Sequence, residues 1–206
     1  MIDTSTLIGF TLLNMGFALI PGPDVLCILS NAIGRGAKAG YQVCLGIATA
    51  CSFHVVCATL GLTAILAAIP SAFLVVRLLG ALYLGAIGWR LIRHPQAAAA
   101  RAPASRLRSP FAQGAVTNLL NPKIAVLFLA ILPQFIQPGH GRSGLQALEL
   151  GLVSIVSGST VNLVTATLGA RAGRFLASRR PWFARFQQAA GVLFIGLAAR
   201  VAACRT

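Results

Sequence analysis

Two short stretches of this sequence place a proline beside a charge inside an apolar run. The first is Pro21-Gly22-Pro23-Asp24 and the second is Asn121-Pro122-Lys123, with Asp24 and Lys123 99 positions apart. A charge deep in such a run costs on the order of 2.5–3.5 kcal/mol to place in a membrane, so it is usually kept for a task. Pro23 suits the first position of a new half-helix, where its missing N–H would have no partner anyway. Asp24 then falls in the first turn, where the positive end of the helix dipole favours an anion. The plainer alternative puts Asp24 at the cytoplasmic interface, one short half-helix before Arg35. Lys123 opens a half-helix in the same way, with a sign the dipole disfavours. Such a cation needs a partner. A bridge to Asp24 is the expectation, and snorkelling of Lys123 to the nearer interface is the alternative.

Amides surround both breaks: Asn14, Asn118, Asn121 and Gln134. They are expected to satisfy backbone groups that the prolines free, or to line a pathway. His54 lies midway in a long uncharged run, as a proton carrier or as a packed helix histidine. No catalytic constellation, cofactor motif or metal-ligand cluster is visible. Cys27, Cys44, Cys51, Cys57 and Cys204 form no C-x-x-C pair, and buried thiols acting as small apolar groups are the simpler reading.

The elements that must position these residues are membrane spans. Hydrophobic residues make up 57% of the 206-residue chain and charged residues 10%, against about 25% charged in a soluble domain. The acids are Asp3, Asp24 and Glu149 alone, and Ala39–Val76 carries no charge over 38 residues. One span needs roughly 20 apolar residues. A water-soluble enzyme, a disordered chain and a secreted disulfide scaffold are excluded. The net charge of +14 does not read as nucleic-acid binding, because the bases sit in the gaps between apolar segments. No Lys or Arg precedes Arg35, so the N-terminus does not read as a cleavable signal peptide.

Six apolar segments are expected, near Ser5–Ile33, Ala39–Ala68, Ser71–Leu91, Phe111–Ile136, Leu145–Ala170 and Phe183–Ala203. Twelve basic residues, from Arg35 and Lys38 to those flanking the central loop and the fifth-to-sixth link, fall on one side; Arg142, Arg200 and Arg205 fall on the other. This bias predicts both termini outside the cytoplasm and the Pro95–Pro110 loop inside. The chain divides into a repeat at about 1–94, a loop at about 95–110 and a repeat at about 111–206. Each repeat holds three spans, and the first span of each is broken at proline. The fold class is therefore an all-α membrane protein of six transmembrane helices in two inverted repeats, an arrangement that points to a transporter site at the midplane. Gly36/Gly40 and Gly169/Gly173 are weak packing signals, and Gly80, Gly85 and Gly88 give segment three a small-residue face.

At these residues the chain resembles the lysine exporter (LysE/RhtB) family of bacterial amino-acid efflux proteins. The resemblance runs through Pro21-Gly22-Pro23-Asp24-Val25-Leu26, Gly34-Arg35-Gly36, Gly46, His54 and Gly61-Leu62. It continues through Gly80-Ala81-Leu82-Tyr83-Leu84, Phe111-x-x-Gly114, Asn118-Leu119-Leu120-Asn121-Pro122-Lys123 and Pro133-Gln134-Phe135. Gly196-Leu197-Ala198-Ala199-Arg200 departs from the Gly-Leu-Gly-Leu-Arg common among similar proteins. The resemblance implies export of amino acids or related small metabolites across the bacterial inner membrane by proton antiport, in a multi-pass protein without a cofactor. Its partners would be the substrate, protons and the lipid bilayer, with self-association left open. A zwitterionic amino acid would bind between the breaks. Its carboxylate would face free N–H groups at Val25 and Ile124 and the charge of Lys123; its ammonium would face Asp24 and the carbonyls before Pro21 and Pro122. Two other readings stand beside this one: an intramembrane thiol-redox protein, and an uncoupled channel-like or structural membrane protein.

Overall fold

The computed structural model describes residues 2–20, 22–68, 107–137 and 139–176, with isolated helical positions between 82 and 93 and between 185 and 199. Apart from those positions, the third and sixth apolar segments lie outside the described residues. So do Pro21, Gly80, Gly88 and most of the central loop. Every described element is helical.

Helix α1 (Thr4–Leu19) starts at Asp3, whose carboxylate accepts from the Thr6 N–H at 2.7 Å and from the Ser5 hydroxyl at 2.6 Å. These bonds hold the Asp3 carboxyl well below the usual carboxylate range. The chain leaves the helix at Ile20 and re-enters it as α2 (Pro23–Arg35), with Pro23 at the start. The two halves meet at 58°. Gly36 alone joins α2 to α3 (Ala37–Ala68). Its φ of 89° lies where a Cβ is disfavoured, which explains a glycine in this one-residue turn.

The second broken element starts with α4 (Pro110–Leu119), capped by the Ser109 hydroxyl. After Leu120 and Asn121 comes α5 (Pro122–Val126), then a π turn over Leu127–Ile131 and a 3-10 turn over Leu132–Phe135. This pair is bent by 49°. The Gln134 side chain bonds back to the Ala130 carbonyl. It serves that irregular stretch rather than the proline break. Helix α6 (Ser143–Leu176) follows.

Ala37–Gly61 of α3 and Ser143–Arg171 of α6 are long and apolar enough to cross a membrane, and each bent pair counts as a further span if taken whole. The described residues therefore hold two to four spans of an all-helical membrane protein. Burial runs the opposite way from a soluble core. Asn14, Asp24, Asn31, Asn118, Asn121 and Lys123 are buried, while Leu12, Leu45, Leu60 and Val156 are more than half exposed. Lipid makes this distribution stable, because an outer apolar surface costs nothing there and unpaired polar groups do.

Close helix contacts rest on small residues, as expected where lipid removes the hydrophobic drive between helices. A Cβ on Gly46 of α3 would overlap the Phe111 carbonyl of α4, and one on Gly114 would overlap the Val43 carbonyl. Each glycine thus lets the other helix's backbone approach. Gly151 of α6 makes room for the Val55 side chain, whose Cγ1 would lie 2.5 Å from an added Cβ. Gly40 and Gly169 are tight against Ala32 and Leu29 of α2. They have more packing importance than their spacing alone conveyed.

Candidate functional site

Both breaks open onto one cavity. Its volume is about 50 Å³, and Asn14, Phe17, Asp24, Asn118, Lys123 and Ser154 are among its lining residues. A water needs roughly 10–15 Å³ by this measure, so the cavity holds a few waters and an amino acid needs the walls to part. Ile47, Cys51, Leu127 and Ile155 supply an apolar wall.

Asp24 lies in the first turn of α2 and is 5% exposed. The carboxylate is therefore enclosed by protein rather than open to water. Its Oδ2 accepts from the Asn118 amide of α4 at 2.9 Å. The Asn121 side chain also interacts with the Asp24 carboxylate, while Asp24 Oδ1 and Asn118 Oδ1 are buried and make no full hydrogen bond. Such atoms are costly unless something binds them.

Lys123 does not bridge to Asp24: among the described residues no ion pair joins them within 4 Å. The Lys123 ammonium instead donates to the Phe17 and Ile20 carbonyls at 2.9 Å each. Those carbonyls lie at the end of α1, and the Phe17 carbonyl also accepts from the Ile20 N–H at 3.2 Å. The ammonium also faces the Phe17 ring, 5.2 Å from its centroid. The reason for the difference is geometric. The sign and spacing of two charges do not reveal that a helix C-terminus, with its own negative dipole end, lies nearer. Lys123 and Asp24 still interact by charge through space. Lys123 is 7% exposed and does not snorkel to an interface.

Two expected substrate contacts change accordingly. The α1 carbonyls next to the first break are already taken by Lys123. The Ile124 N–H donates to the Asn121 carbonyl at 3.0 Å and is not free. Asn121 also accepts from the Lys123 N–H through its side chain, at 3.0 Å, so it does serve the backbone at the proline. Pro122 is the first residue of α5. Gly22 precedes α2 without a side-chain cap, and Leu26 N–H donates to its carbonyl.

Asn14 lines the cavity and also joins two helices. Its amide donates to Ser157 Oγ at 2.7 Å and to the Ser154 carbonyl at 3.2 Å, tying α1 to α6. Sequence reasoning missed these α6 serines and Asn162, which also lines the cavity. Their signal was available: Ser154, Ser157 and Asn162 are among seven Ser, Thr and Asn residues in the uncharged stretch from 150 to 170. It also missed a buried bond from Asn31 of α2 to Gln113 of α4, 2.8 Å long. His54 stacks on Phe128, with ring centroids 5.8 Å apart, and is not among the cavity-lining residues. Cys27, Cys44 and Cys51 are buried, Cys57 is exposed, and all four are free thiols. Among the described residues no group of three His, Cys, Asp or Glu is placed to hold a metal ion.

Broken apolar helices around a buried charged cavity define a helical membrane protein with a polar site at the breaks. Residues 15–204 match the LysE type translocator family, and the chain belongs to that family. The family is one of transporters, and the protein is a multi-pass protein of the bacterial inner membrane. An uncharacterised membrane protein of Pseudomonas aeruginosa is 30% identical over 192 residues, covering 89% of this chain and 88% of its own. A leucine efflux protein of Enterobacter sp. (strain 638) is 30% identical over 191 residues, covering 89% of each chain. That of Salmonella typhimurium is 27% identical, covering 89% of this chain and 88% of its own. No solved structure matches the chain.

Proposed function

We propose that the protein exports amino acids or closely related small metabolites across the inner membrane in exchange for protons. Six spans in two inverted repeats, divided near 95–110 and with both termini periplasmic, would carry this exchange. The observation that carries the reading is the buried Asp24 carboxylate. It faces the shared cavity with one oxygen held by Asn118 and the other making no full hydrogen bond. That oxygen can take a substrate ammonium or a proton, and the two exclude each other. A proton arriving from outside would weaken the grip on the ammonium, release substrate outward and then move inward. Competition for one carboxylate is the simplest form of antiport.

The apolar wall supports an aliphatic side chain, and leucine efflux relatives put such amino acids first among the candidates. Asn121 Nδ2, beside the second break, makes no full hydrogen bond, and the side chain interacts with the Asp24 carboxylate; Nδ2 is the proposed contact for the substrate carboxylate once the substrate ammonium has taken Asp24. The reading is tested in proteoliposomes with an imposed pH gradient. Aliphatic amino acids are compared with their amides and decarboxylated amines. Gradient-dependent movement of the amino acids alone is the expected result. Amines moving as well as amino acids, or flux that ignores the gradient, overturns it and favours an uncoupled channel.

A further inference from the structure

We propose that the end of α1 forms a binding site for a primary ammonium group, and that Lys123 is its tethered ligand. The Phe17 and Ile20 carbonyls converge on one nitrogen at 2.9 Å each, under the Phe17 ring. The last carbonyls of a helix carry the negative end of its dipole, and carbonyls accept only from N–H or O–H donors. The site therefore selects an ammonium with N–H groups over a quaternary cation of equal charge. Its occupant arrives from a position 103 residues beyond Ile20 in the chain. Gly22 lies along the lysine stem, so that a Cβ there would sit 3.7 Å from Lys123 Cδ. The fit of stem and head is that of a linear alkylammonium in a slot.

This deepens the reading of the two breaks as one transport site, and only its flux consequence rests on that reading. Lys123 is a positioning residue. Holding the α1 carbonyls, it closes the first break from the second and keeps its ammonium out of contact with Asp24. The substrate ammonium then meets the Asp24 carboxylate and the Asn118 carbonyl oxygen instead of Lys123.

Lys123→Ala removes the side chain beyond Cβ, which is the equivalent of propylammonium. Purified Lys123→Ala protein is melted in detergent with n-propylammonium, with tetramethylammonium and with n-propanol. Propylammonium should raise the midpoint by about 2–4 °C, saturably, for roughly 1 kcal/mol of linked binding. The other two compounds should not, and the wild type should ignore all three. If the variant is not recovered folded, cells are grown with each compound, and only propylammonium should restore the yield of folded protein. No response to propylammonium in either format, or an equal response to tetramethylammonium, overturns the site. Amino-acid flux of the wild type is measured in parallel. A wild type that moves no amino acid, together with a variant that still answers to propylammonium, sinks the export reading and leaves the ammonium site standing.

Discussion

The two proline breaks mirror each other in sequence and differ in how they are held. The second closes on itself. The Asn121 side chain caps the Lys123 N–H, the Asn121 carbonyl takes the Ile124 N–H, and the Asn121 N–H donates to the Asn118 carbonyl at 3.0 Å. The first break borrows. Gly22 offers no side-chain cap, and the α1 carbonyls are satisfied by Lys123 from the second. Beyond the breaks the order reverses. Regular α2 runs for 13 residues after the first, whereas a five-residue helix gives way to π and 3-10 turns after the second. One break thus supplies a cation and the other supplies the acceptors and the acid. Two similar proline-and-charge breaks act as a donor and an acceptor.

Exchanging each charge for a neutral group gives the largest effects and the clearest way to break this comparison. Lys123→Met leaves the buried Ile20 carbonyl without its donor and the Phe17 carbonyl with the Ile20 N–H. An unsatisfied group costs about 1–3 kcal/mol, so a stability loss of that order is expected along with loss of export. Asp24→Asn keeps an oxygen for the Asn118 amide. It should abolish proton-coupled export while melting close to the wild type. Flux in proteoliposomes and melting in detergent separate the two. Equal melting losses would show that the breaks do not differ as donor and acceptor. For export, Asp24→Asn with Lys123→Gln should lose less than the sum of the single losses, because both charges act on one cavity. Strict additivity would mean that the breaks work independently.

The positions of the first, second, fourth and fifth apolar segments and of both breaks were legible in the sequence, because long uncharged runs and prolines constrain the backbone locally. Segment one, expected at about Ser5–Ile33, corresponds to α1 and α2; segment five, expected at about Leu145–Ala170, lies within α6. Asp24 and Asn118 were singled out by type, and they meet. The partners were less legible. Lys123 turns to α1 rather than to Asp24, and Asn14 turns to serines 140 and 143 positions away. Both choices depend on how close helices pack, which glycines such as Gly46 and Gly114 decide through backbone contact. No periodicity encodes that distance. The π turn over Leu127–Ile131 was equally hidden, since its residues are apolar in any helical register.

A smaller effect is expected from weakening the self-held break. Asn121→Ala removes the cap on the Lys123 N–H, and loss of a helix N-cap costs about 1 kcal/mol. The expected result is a modest fall in melting temperature, about 2–4 °C for a chain of this size. Loss of the Asn121 amide should also weaken substrate affinity more than maximal flux, if it meets the carboxylate as proposed. Asn121→Asp restores the cap without the donor. It should recover the stability and not the affinity. Recovery of both would remove Asn121 from the substrate site and leave it a cap alone.

The smallest effect comes from making the first break resemble the second. Gly22 occupies the N-cap position of α2 with φ −144° and ψ −172°, an extended backbone open to any residue. Nothing there requires glycine for conformation. A Cβ would meet Lys123 Cδ at 3.7 Å and Nζ at 3.8 Å, which is ordinary contact. Gly22→Ser should therefore fit and place a hydroxyl where the first turn of α2 lacks a side-chain acceptor. Serine exceeds glycine as an N-cap by only a few tenths of a kcal/mol. A rise in melting temperature of about 1 °C is the expected outcome. The informative part is its combination with Lys123→Met. If the first break is weak because α1 has lost its carbonyl partner, a cap on α2 cannot compensate, and the double variant should melt within about 1 °C of Lys123→Met. If the serine restores most of the loss, the weakness lies at the start of α2, and the borrowing of Lys123 by α1 is not what holds the break.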